Sequence, residues 1–596
     1  MGESFSSTPP SVTPPEGRLD SWKEIAGYLN REVTTVQRWE KREGMPVHRH
    51  LHDRSGSIYA YSSELDAWLQ SRKLRLAEEK ERTAEAPADA KDEHRRQVWT
   101  WGTRRWLVLC GIGGLALLAV SYVAIRSRAG SASRAKIKSL AVLPLKNLSG
   151  DPTQEYLAEG MTEALIGRLS SIHDLRVISR TSTMHFKDTQ LSVPEIAMTL
   201  GVDAIVEGSV IRQGNRIRVH AQLIRAATDE HFWSESYDRE LPDALALESE
   251  VAQAIAEKVE VTVTGIERAR LAAAHQVAPE VYESYLKGRF REGNGRAGVE
   301  KSIAYFEEAI RKDPEFAPAY VGLADAYDTL GTAGIGGAPP TEMLPKVIGA
   351  ARKAIELDPT LPEAHDLLAD AYQEQWHWSD AEGEYKRALE LNPNDAGAHL
   401  GFATWLLCQG HTEEAQAWAR RGRELDPLGV TGVNIAWILF QSRHYDEAIR
   451  ELRSALAVRP ENAGALWFLG FALIAKGQAD EAIVVLERAV ALSERRPAMI
   501  GVLIRAYAHA GRRTEALRLL EELKRRQQAG YVPAAAFVNA YLGLGDNEQA
   551  FAWLERAYKE QSSILEWLKV HPYFDPLRGD PRFADLVRRV GLDKAR

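Results

Sequence analysis

Small and apolar residues recur at a fixed period along the second half of the chain. Prolines at positions 359, 393, 427 and 460 fall 34, 34 and 33 residues apart. Small residues keep the same register in pairs 12 positions apart, such as Ala369 with Ala381 and Ala403 with Ala415. Two helices can cross closely only where their facing side chains are small. The pattern therefore predicts a stack of helical hairpins.

The stretch ALWFLGFALIAKGQADEAIVVLERAVAL shows this pattern most fully, and it resembles the tetratricopeptide repeat. The resemblance runs from Glu280 to Gln561, residues 280–561, and covers about eight repeats. It implies an all-α superhelix whose concave groove, formed by the first helix of each repeat, binds a protein segment. Trp437, Trp467 and Phe471 fall near groove positions and are predicted to contact that partner, with packing as the alternative. Residues 562–596 are predicted to cap the array.

A different pattern predicts a small domain over residues 18–70. Asp20 or Ser21 can cap a first helix, and a second helix begins near Thr34 and Thr35. The runs VHRHLHD and SIYAY flank a glycine turn and predict a hairpin. The run SELDAWLQ predicts a third helix.

This order of elements resembles the winged helix-turn-helix of the MerR and excisionase type. The resemblance implies that the second helix enters the major groove of double-stranded DNA and that the hairpin contacts the backbone. The predicted DNA-binding residues are Thr34, Thr35, Gln37, Arg38, Lys41, Arg42, Arg49 and Arg54. Basic residues exceed acidic ones only slightly here, so a protein-binding module is the alternative. His48, His50 and His52 share one strand face, and packing or a wing contact is favoured over a metal site.

Residues 106–125 carry no charge and are long enough to span about 30 Å of hydrocarbon. They predict one transmembrane helix, preceded by a charged linker at 71–105 and a disordered tail at 1–17. Basic residues are balanced on both sides, so the orientation follows from function. The DNA-binding domain must lie in the cytoplasm. Cys110 and Gly114 form a small-xxx-small pair that favours a homodimer.

Residues 136–265 alternate between strand and helix patterns and predict a small α/β domain. The segments LAVLPLKNLSGDP, EYLAEGMTEALIGRLS and VISRTST resemble the TolB amino-terminal or FlgO-like domain. That resemblance implies a fold and no chemistry. The SGDP loop lacks the lysine and glycine spacing of a phosphate-binding loop.

The chain as a whole is predicted to be multidomain, with a winged helix-turn-helix, one transmembrane helix, an α/β domain and a repeat superhelix. Its net charge of −8 confines any DNA contact to a local surface. No arrangement of catalytic or metal-binding residues is evident, so neither an enzyme nor a cofactor is predicted. The layout resembles the ToxR and CadC regulators, which predicts a single-pass inner-membrane transcriptional regulator. A membrane-anchored scaffold with a protein-binding head is the alternative.

Overall fold

The chain forms two compact units, Met1–Leu118 and Ala119–Arg596. A computed structural model describes residues 18–69, with gaps at 20, 30, 32, 44 and 50–57, and residues 136–593, with gaps at 273–276, 291–294, 332–337 and 430.

The N-terminal unit contains two consecutive helices, α1 (Trp22–Tyr28) and α2 (Val33–Glu43). Ser21 caps α1, because its hydroxyl accepts a hydrogen bond from the backbone N–H of Glu24. Three short strands form an antiparallel sheet in the order β1-β3-β2, and residues 62–69 are helical. The strands are β1 (Arg18–Leu19), β2 (His48–Arg49) and β3 (Ile58–Tyr61). The sequence pattern does not predict strand β1.

The predicted membrane location is corrected by the structure. Crossing the hydrocarbon layer needs about 20 mostly apolar residues. The longest described helices, Gly295–Lys312 and Pro340–Leu357, have 18 residues each and carry charged side chains. No helix in the described part of the chain is long and apolar enough to cross a membrane. The predicted span at 106–125, the linker at 71–105 and the tail at 1–17 lie outside the described residues.

The C-terminal unit begins with a mixed six-stranded sheet in the order β6-β4-β7-β8-β9, with β5 paired to β7. Parallel pairs join β4 to β6 and β7, while β7, β8 and β9 are antiparallel. The strands are β4 (Ser139–Val142), β5 (Lys146–Asn147), β6 (Arg176–Val177), β7 (Ala204–Gln213), β8 (Arg216–Arg225) and β9 (Glu230–Glu240). Strands β7 and β8 form an antiparallel hairpin that turns at Gly214 and Asn215.

Helices pack against this sheet around two apolar clusters. They are α3 (Glu155–Ser170), α4 (Arg180–Thr183), α5 (Val193–Leu200), α6 (Ala244–Lys258) and α7 (Gly265–Ala272). Helix α5 begins with a capping box, in which Ser192 and Glu195 satisfy each other's backbone N–H groups. The predicted α/β domain is therefore present.

Sixteen helices follow in the described residues and form eight antiparallel pairs. The first helices of the pairs are α8 (Pro279–Phe290), α10 (Ala317–Gly331), α12 (Pro362–Glu374), α14 (Ala396–Gln409), α16 (Thr431–Gln441), α18 (Ala463–Ala475), α20 (Pro497–His509) and α22 (Ala534–Leu544). The second helices are α9 (Gly295–Lys312), α11 (Pro340–Leu357), α13 (Trp378–Leu391), α15 (Thr412–Leu425), α17 (Tyr445–Val458), α19 (Ala479–Leu492), α21 (Arg513–Ala529) and α23 (Asn547–Lys559).

The small residues of the sequence pattern lie where the helices of a pair cross. Ala369, Ala381, Ala403 and Ala415 have no solvent exposure. A Cβ added at Gly470 would lie 2.4 Å from Cγ of Leu486, so the site excludes any larger residue. The close crossing expected from the sequence is confirmed.

After the last pair, the chain turns back and packs against the first helices. This C-terminal segment, residues 562–592, contains the 3₁₀ helices Ser563–Trp567 and Pro572–Leu577 and the helix α24 (Pro581–Arg589). Leu565, Leu568 and Leu586 are fully buried. The segment is part of the repeat core, because most of its apolar side chains face the array and not solvent.

Candidate nucleic-acid interface and repeat surface

Helix α2 presents one buried and one solvent-facing side. Val36 is fully buried and Trp39 is nearly so, as the helical spacing predicts. The Trp39 ring lies 5.5 Å from that of Trp68, which ties α2 to the helical residues 62–69. Thr34 and Arg38 are exposed on the other side. The core contacts therefore leave an accessible face on α2.

The structure describes the side chains of four of the eight predicted DNA-binding residues. Thr35 and Gln37 are half-buried, beside the exposed Thr34 and Arg38. Lys41, Arg42 and Arg49 lie within α2 and β2, but their side chains are outside the described part, and Arg54 lies outside it altogether. DNA binding by these residues stays a prediction.

His48 is held by neighbours within the N-terminal unit. Its Nε2 lies 2.7 Å from a carboxylate oxygen of Glu64. Its ring stacks on that of Tyr59 at 5.1 Å and meets the edge of Tyr61 at 5.9 Å. These contacts give His48 a packing role in the sheet. His50 and His52 lie outside the described residues.

The three predicted partner-binding aromatics lie in an aromatic cluster on the first helices. The ring of Trp437 lies 5.4 Å from that of Phe471, and Trp467 lies 5.3 Å from the same ring. Phe471 is only 2% exposed, whereas Trp437 and Trp467 are half-buried. Partner binding by these three residues stays a prediction. All three also pack in the apolar core of the repeats.

The C-terminal segment covers part of this cluster. The ring of Trp567 lies 5.6 Å from Trp437, and the ring of Tyr573 stacks on Phe471 at 5.3 Å. The Tyr573 hydroxyl donates a hydrogen bond of 2.8 Å to the backbone carbonyl of Phe471. The chain's own C-terminal residues therefore occupy the inner surface of the repeats around α16 and α18.

Two polar side chains join the α/β domain to the repeats, and no pattern in the sequence indicates either of them. Asp426 accepts hydrogen bonds of 2.6 Å from the hydroxyls of Thr181 and Ser182. The Asn394 amide donates to the backbone carbonyls of Ser170, Ile172 and Leu175. Both residues lie in loops between repeats, where their partners become evident only in the folded chain.

Comparisons with known proteins identify both parts of the C-terminal unit. The family described as HilA/YgeH-like transcriptional regulator, second domain, matches residues 135–256. Tetratricopeptide repeat families match residues 362–395, 439–492 and 473–536. The chain combines a HilA/YgeH-like regulator domain with tetratricopeptide repeats. The expected repeats are thus confirmed, whereas the MerR-type and TolB-type resemblances are not.

A curated relative corrects the prediction that the chain is not an enzyme. The "Putative adenylate cyclase 3" of Rhizobium meliloti (strain 1021) is 36% identical over 233 residues. The matching region covers 39% of this chain and 39% of that protein. The chain thus spans about two fifths of the length of a relative that is named for an enzyme.

Several solved structures of repeat proteins resemble parts of the chain. A thermophilic TPR protein of Thermus thermophilus is 17% identical with a TM-score of 0.29, and covers 33% of this chain and 99% of its own. Pseudomonas aeruginosa pilF is 18% identical with a TM-score of 0.26, and covers 35% and 95%. YrrB, described as a TPR protein with an unusual peptide-binding site, is 19% identical with a TM-score of 0.23, and covers 31% and 91%.

Proposed function

We propose that the chain is a transcriptional regulator that binds double-stranded DNA through its N-terminal unit and a protein partner through its repeats. The HilA/YgeH-like match at residues 135–256 carries the proposal, because a regulator domain lies between the two in the sequence.

The geometry of α2 supports the DNA-binding part. Its buried Val36 and Trp39 fix the helix to the core, and its exposed Thr34 and Arg38 face outward. A guanidinium group can pair with the major-groove edge of guanine, while the helix N-terminus favours phosphate. The arrangement of α1, α2 and the small sheet suits the proposed winged helix-turn-helix. A homodimer on paired half-sites would compensate for the small basic excess of this unit.

The test is an unbiased selection of duplex DNA by the purified full chain, followed by affinity measurements at several salt concentrations. We expect an enriched sequence motif and an affinity that falls steeply with salt, because phosphate contacts release counterions. Binding of every duplex with equal affinity, or of none, would replace the proposal with the protein-binding module as the function of the N-terminal unit.

The relative's name supplies a second candidate, adenylate cyclase activity. Its support is the 36% identity over 233 residues, which covers only part of either protein. The test is an assay of the full chain with ATP and a divalent cation. Cyclic nucleotide formed above the level of a heat-denatured sample would establish the activity, and its absence under saturating substrate would remove this candidate.

A further inference from the structure

A cleft of about 470 Å³ lies between the α/β domain and the first pair of repeat helices. Its walls come from the turn before α3, the start of α3, the β7–β8 hairpin and the helices α8 and α9. Pockets that bind small molecules have volumes of about 300–1,000 Å³ and contain a few placed polar groups. The side chains that matter for the chemistry of the cleft are Asp151, Thr153, Tyr156, Arg212, Lys287 and Tyr305.

The turn before α3 is tied to the sheet. It contains the SGDP motif, residues 149–152. The side-chain amide of Asn147 donates a hydrogen bond of 2.9 Å to the backbone carbonyl of Asp151. The backbone N–H of Arg212 donates another of 2.9 Å to the hydroxyl of Ser149. This wall of the cleft is therefore formed by contacts within the α/β domain and does not depend on a ligand.

The carboxylate of Asp151 keeps its charge. Its Oδ1 accepts hydrogen bonds of 2.9 Å and 2.7 Å from the backbone N–H and the hydroxyl of Thr153, and these bonds lower the pKa of Asp151. They also occupy an N–H group that a phosphate would otherwise bind, so the turn does not suit a phosphate. The hydroxyl oxygen of Thr153 has donated its proton and can still accept a hydrogen bond.

Arg212 fixes the orientation of the Tyr156 hydroxyl. Its Nη1 donates a hydrogen bond of 3.0 Å to that hydroxyl, and its Nε donates one of 3.1 Å to the backbone carbonyl of Gly214. Its Nη2 is paired with Glu283, which balances the charge. Burial and then the charge of Glu283 raise the pKa of Tyr156. The Tyr156 hydroxyl therefore keeps its own proton and can donate it to a ligand.

Lys287 brings a positive charge to the opposite wall. The side chain is half-buried, and its Nζ lies 5.7 Å from the centroid of the Tyr156 ring. No acidic side chain in the described part of the chain is within ion-pairing distance of this Nζ. The pKa of Glu308 is lowered first by its hydrogen bond with Lys312 and least by Lys287, and the ion pair with Lys312 is 2.8 Å long. The Lys287 ammonium is thus available to an anion.

These groups define the chemistry of a ligand. An ammonium only donates hydrogen bonds and a carboxylate only accepts them, so the ligand needs an anionic group for Lys287 and donors for Asp151. It also needs an acceptor for the proton of Tyr156. Hydroxyl groups both donate and accept, whereas a second ammonium group, as in an amino acid, could not accept from Tyr156.

We propose that the cleft binds a small sugar acid, that is, a carboxylate on a carbon skeleton that carries several hydroxyl groups. Lys287 binds the carboxylate. Asp151 and Thr153 accept hydrogen bonds from the hydroxyl groups, and Tyr156 donates one. The rings of Tyr156 and the half-buried Tyr305 pack against the carbon skeleton.

The site goes beyond the proposed function and shares no residue with the predicted DNA-binding or partner-binding residues. Its ligand would contact the α/β domain through Asp151 and the first repeat pair through Lys287 and Tyr305. Binding would therefore stabilise the junction between the two. The test needs neither DNA nor a partner protein, so the two proposals can fail separately.

The experiment is isothermal titration calorimetry of the full chain with glucuronate, galacturonate and gluconate. Glucuronamide is the matched control, because it keeps the ring and the hydroxyl groups and lacks the charge. Acetate has the charge and lacks the hydroxyl groups. We expect at least one sugar acid to bind about tenfold or more tightly than both controls, because a hydrogen bond to a charged group contributes about 1.5–3 kcal/mol. Failure of all three sugar acids to bind, or equal binding of a control, would overturn the proposal.

Variants of Lys287 test the charge at the cleft. Lys287→Met should weaken binding of the sugar acid about tenfold or more, and Lys287→Arg should retain most of it. Lys346→Met is the control, because Lys346 also lies over a tyrosine ring, that of Tyr327 at 5.5 Å, on α11. Unchanged binding in Lys287→Met, or equal loss in all three variants, would overturn the proposal. Thermal melting by circular dichroism confirms that each variant is folded.

Hydrogen exchange locates the ligand without a substitution. With the sugar acid bound, residues 149–156 and 284–290 should exchange more slowly, because the ligand contacts both walls of the cleft. Glucuronamide at the same concentration should leave both segments unchanged. Protection confined to other segments would show that the sugar acid binds elsewhere and would overturn the assignment of the cleft.

Discussion

The guanidinium carbon of Arg505 lies 3.4 Å from the centroid of the Tyr573 ring. Arg505 is 5% exposed, and its Nε and Nη1 have no hydrogen-bond partner among the described residues. Burial lowers the pKa of Arg505 to about 10. An aromatic face stabilises a cation that is removed from water. This contact therefore fastens the C-terminal segment to α20 across the inner side of the repeats.

Removal of the Tyr573 ring should destabilise the C-terminal unit. We expect Tyr573→Ala to lower the free energy of unfolding by about 3–5 kcal/mol, the usual cost of deleting a buried aromatic side chain. Tyr573→Phe keeps the ring over Arg505 and loses only the hydrogen bond to Phe471, which should cost about 1 kcal/mol. Urea unfolding followed by circular dichroism measures both. Equal, small effects would show that the segment is only loosely attached.

The buried carboxyl of Glu566 should make stability depend on pH. Burial raises its pKa to about 8, a hydrogen bond from Gln373 opposes the shift, and the charge of Asp370 adds to it. The folded pKa is thus above the unfolded value of 4.5. The folded chain holds this proton more tightly, so its contribution to stability is full below the unfolded pKa and is lost as pH rises through about 8.

The matched variant is Glu566→Gln, which cannot ionise. The variant should gain stability relative to the natural chain as pH rises from the unfolded to the folded pKa of Glu566. Urea unfolding at a series of pH values measures this difference. A difference that does not change with pH would show that Glu566 has an ordinary pKa.

Asp426 should hold the α/β domain against the repeats. Its carboxylate accepts hydrogen bonds from Ser179, Thr181 and Ser182, and it is 3% exposed. Asp426→Ala leaves these hydroxyls, of which that of Ser182 is fully buried, without their acceptor, and we expect a loss of about 3 kcal/mol. The surface pair of Asp446 and Lys476 provides the control, because Asp446→Ala should cost less than about 1 kcal/mol.

Urea unfolding measures the loss of stability in both variants, and hydrogen exchange shows where in the chain the loss occurs. Residues 179–183 should exchange faster in Asp426→Ala and remain unchanged in Asp446→Ala, because only the former side chain contacts them. Faster exchange throughout the chain in both variants would argue against a local junction.

Local pattern predicted the helices and most strands, but it did not predict which surfaces they cover. The helix pairs are predictable because the close crossing of two helices requires small residues, and these recur with the period of the repeat. The local pattern does not predict strand β9, because only Trp233 and Tyr237 are buried in a run of mostly exposed, mostly polar residues. Its pairing with β8 is a non-local property of the sheet.

The C-terminal segment shows the same limit. The sequence predicts that residues 562–596 cap the array, but the contacts of Trp567 and Tyr573 with the inner surface of the repeats are evident only in the folded chain.

The last prediction concerns Arg38, the exposed basic residue of α2 whose side chain the structure describes. A bidentate contact between a guanidinium and a guanine edge discriminates against other bases. We therefore expect Arg38→Ala to weaken binding of the preferred duplex by about 1–3 kcal/mol and to relax preference at one base position. Arg525→Ala removes the same charge from an exposed position of α21 and should leave both properties unchanged. Competition binding of the full chain to single-base variants of the selected duplex measures the effect. If Arg38→Ala weakens all duplexes alike, Arg38 contacts phosphate, and if it changes nothing, α2 does not read the major groove.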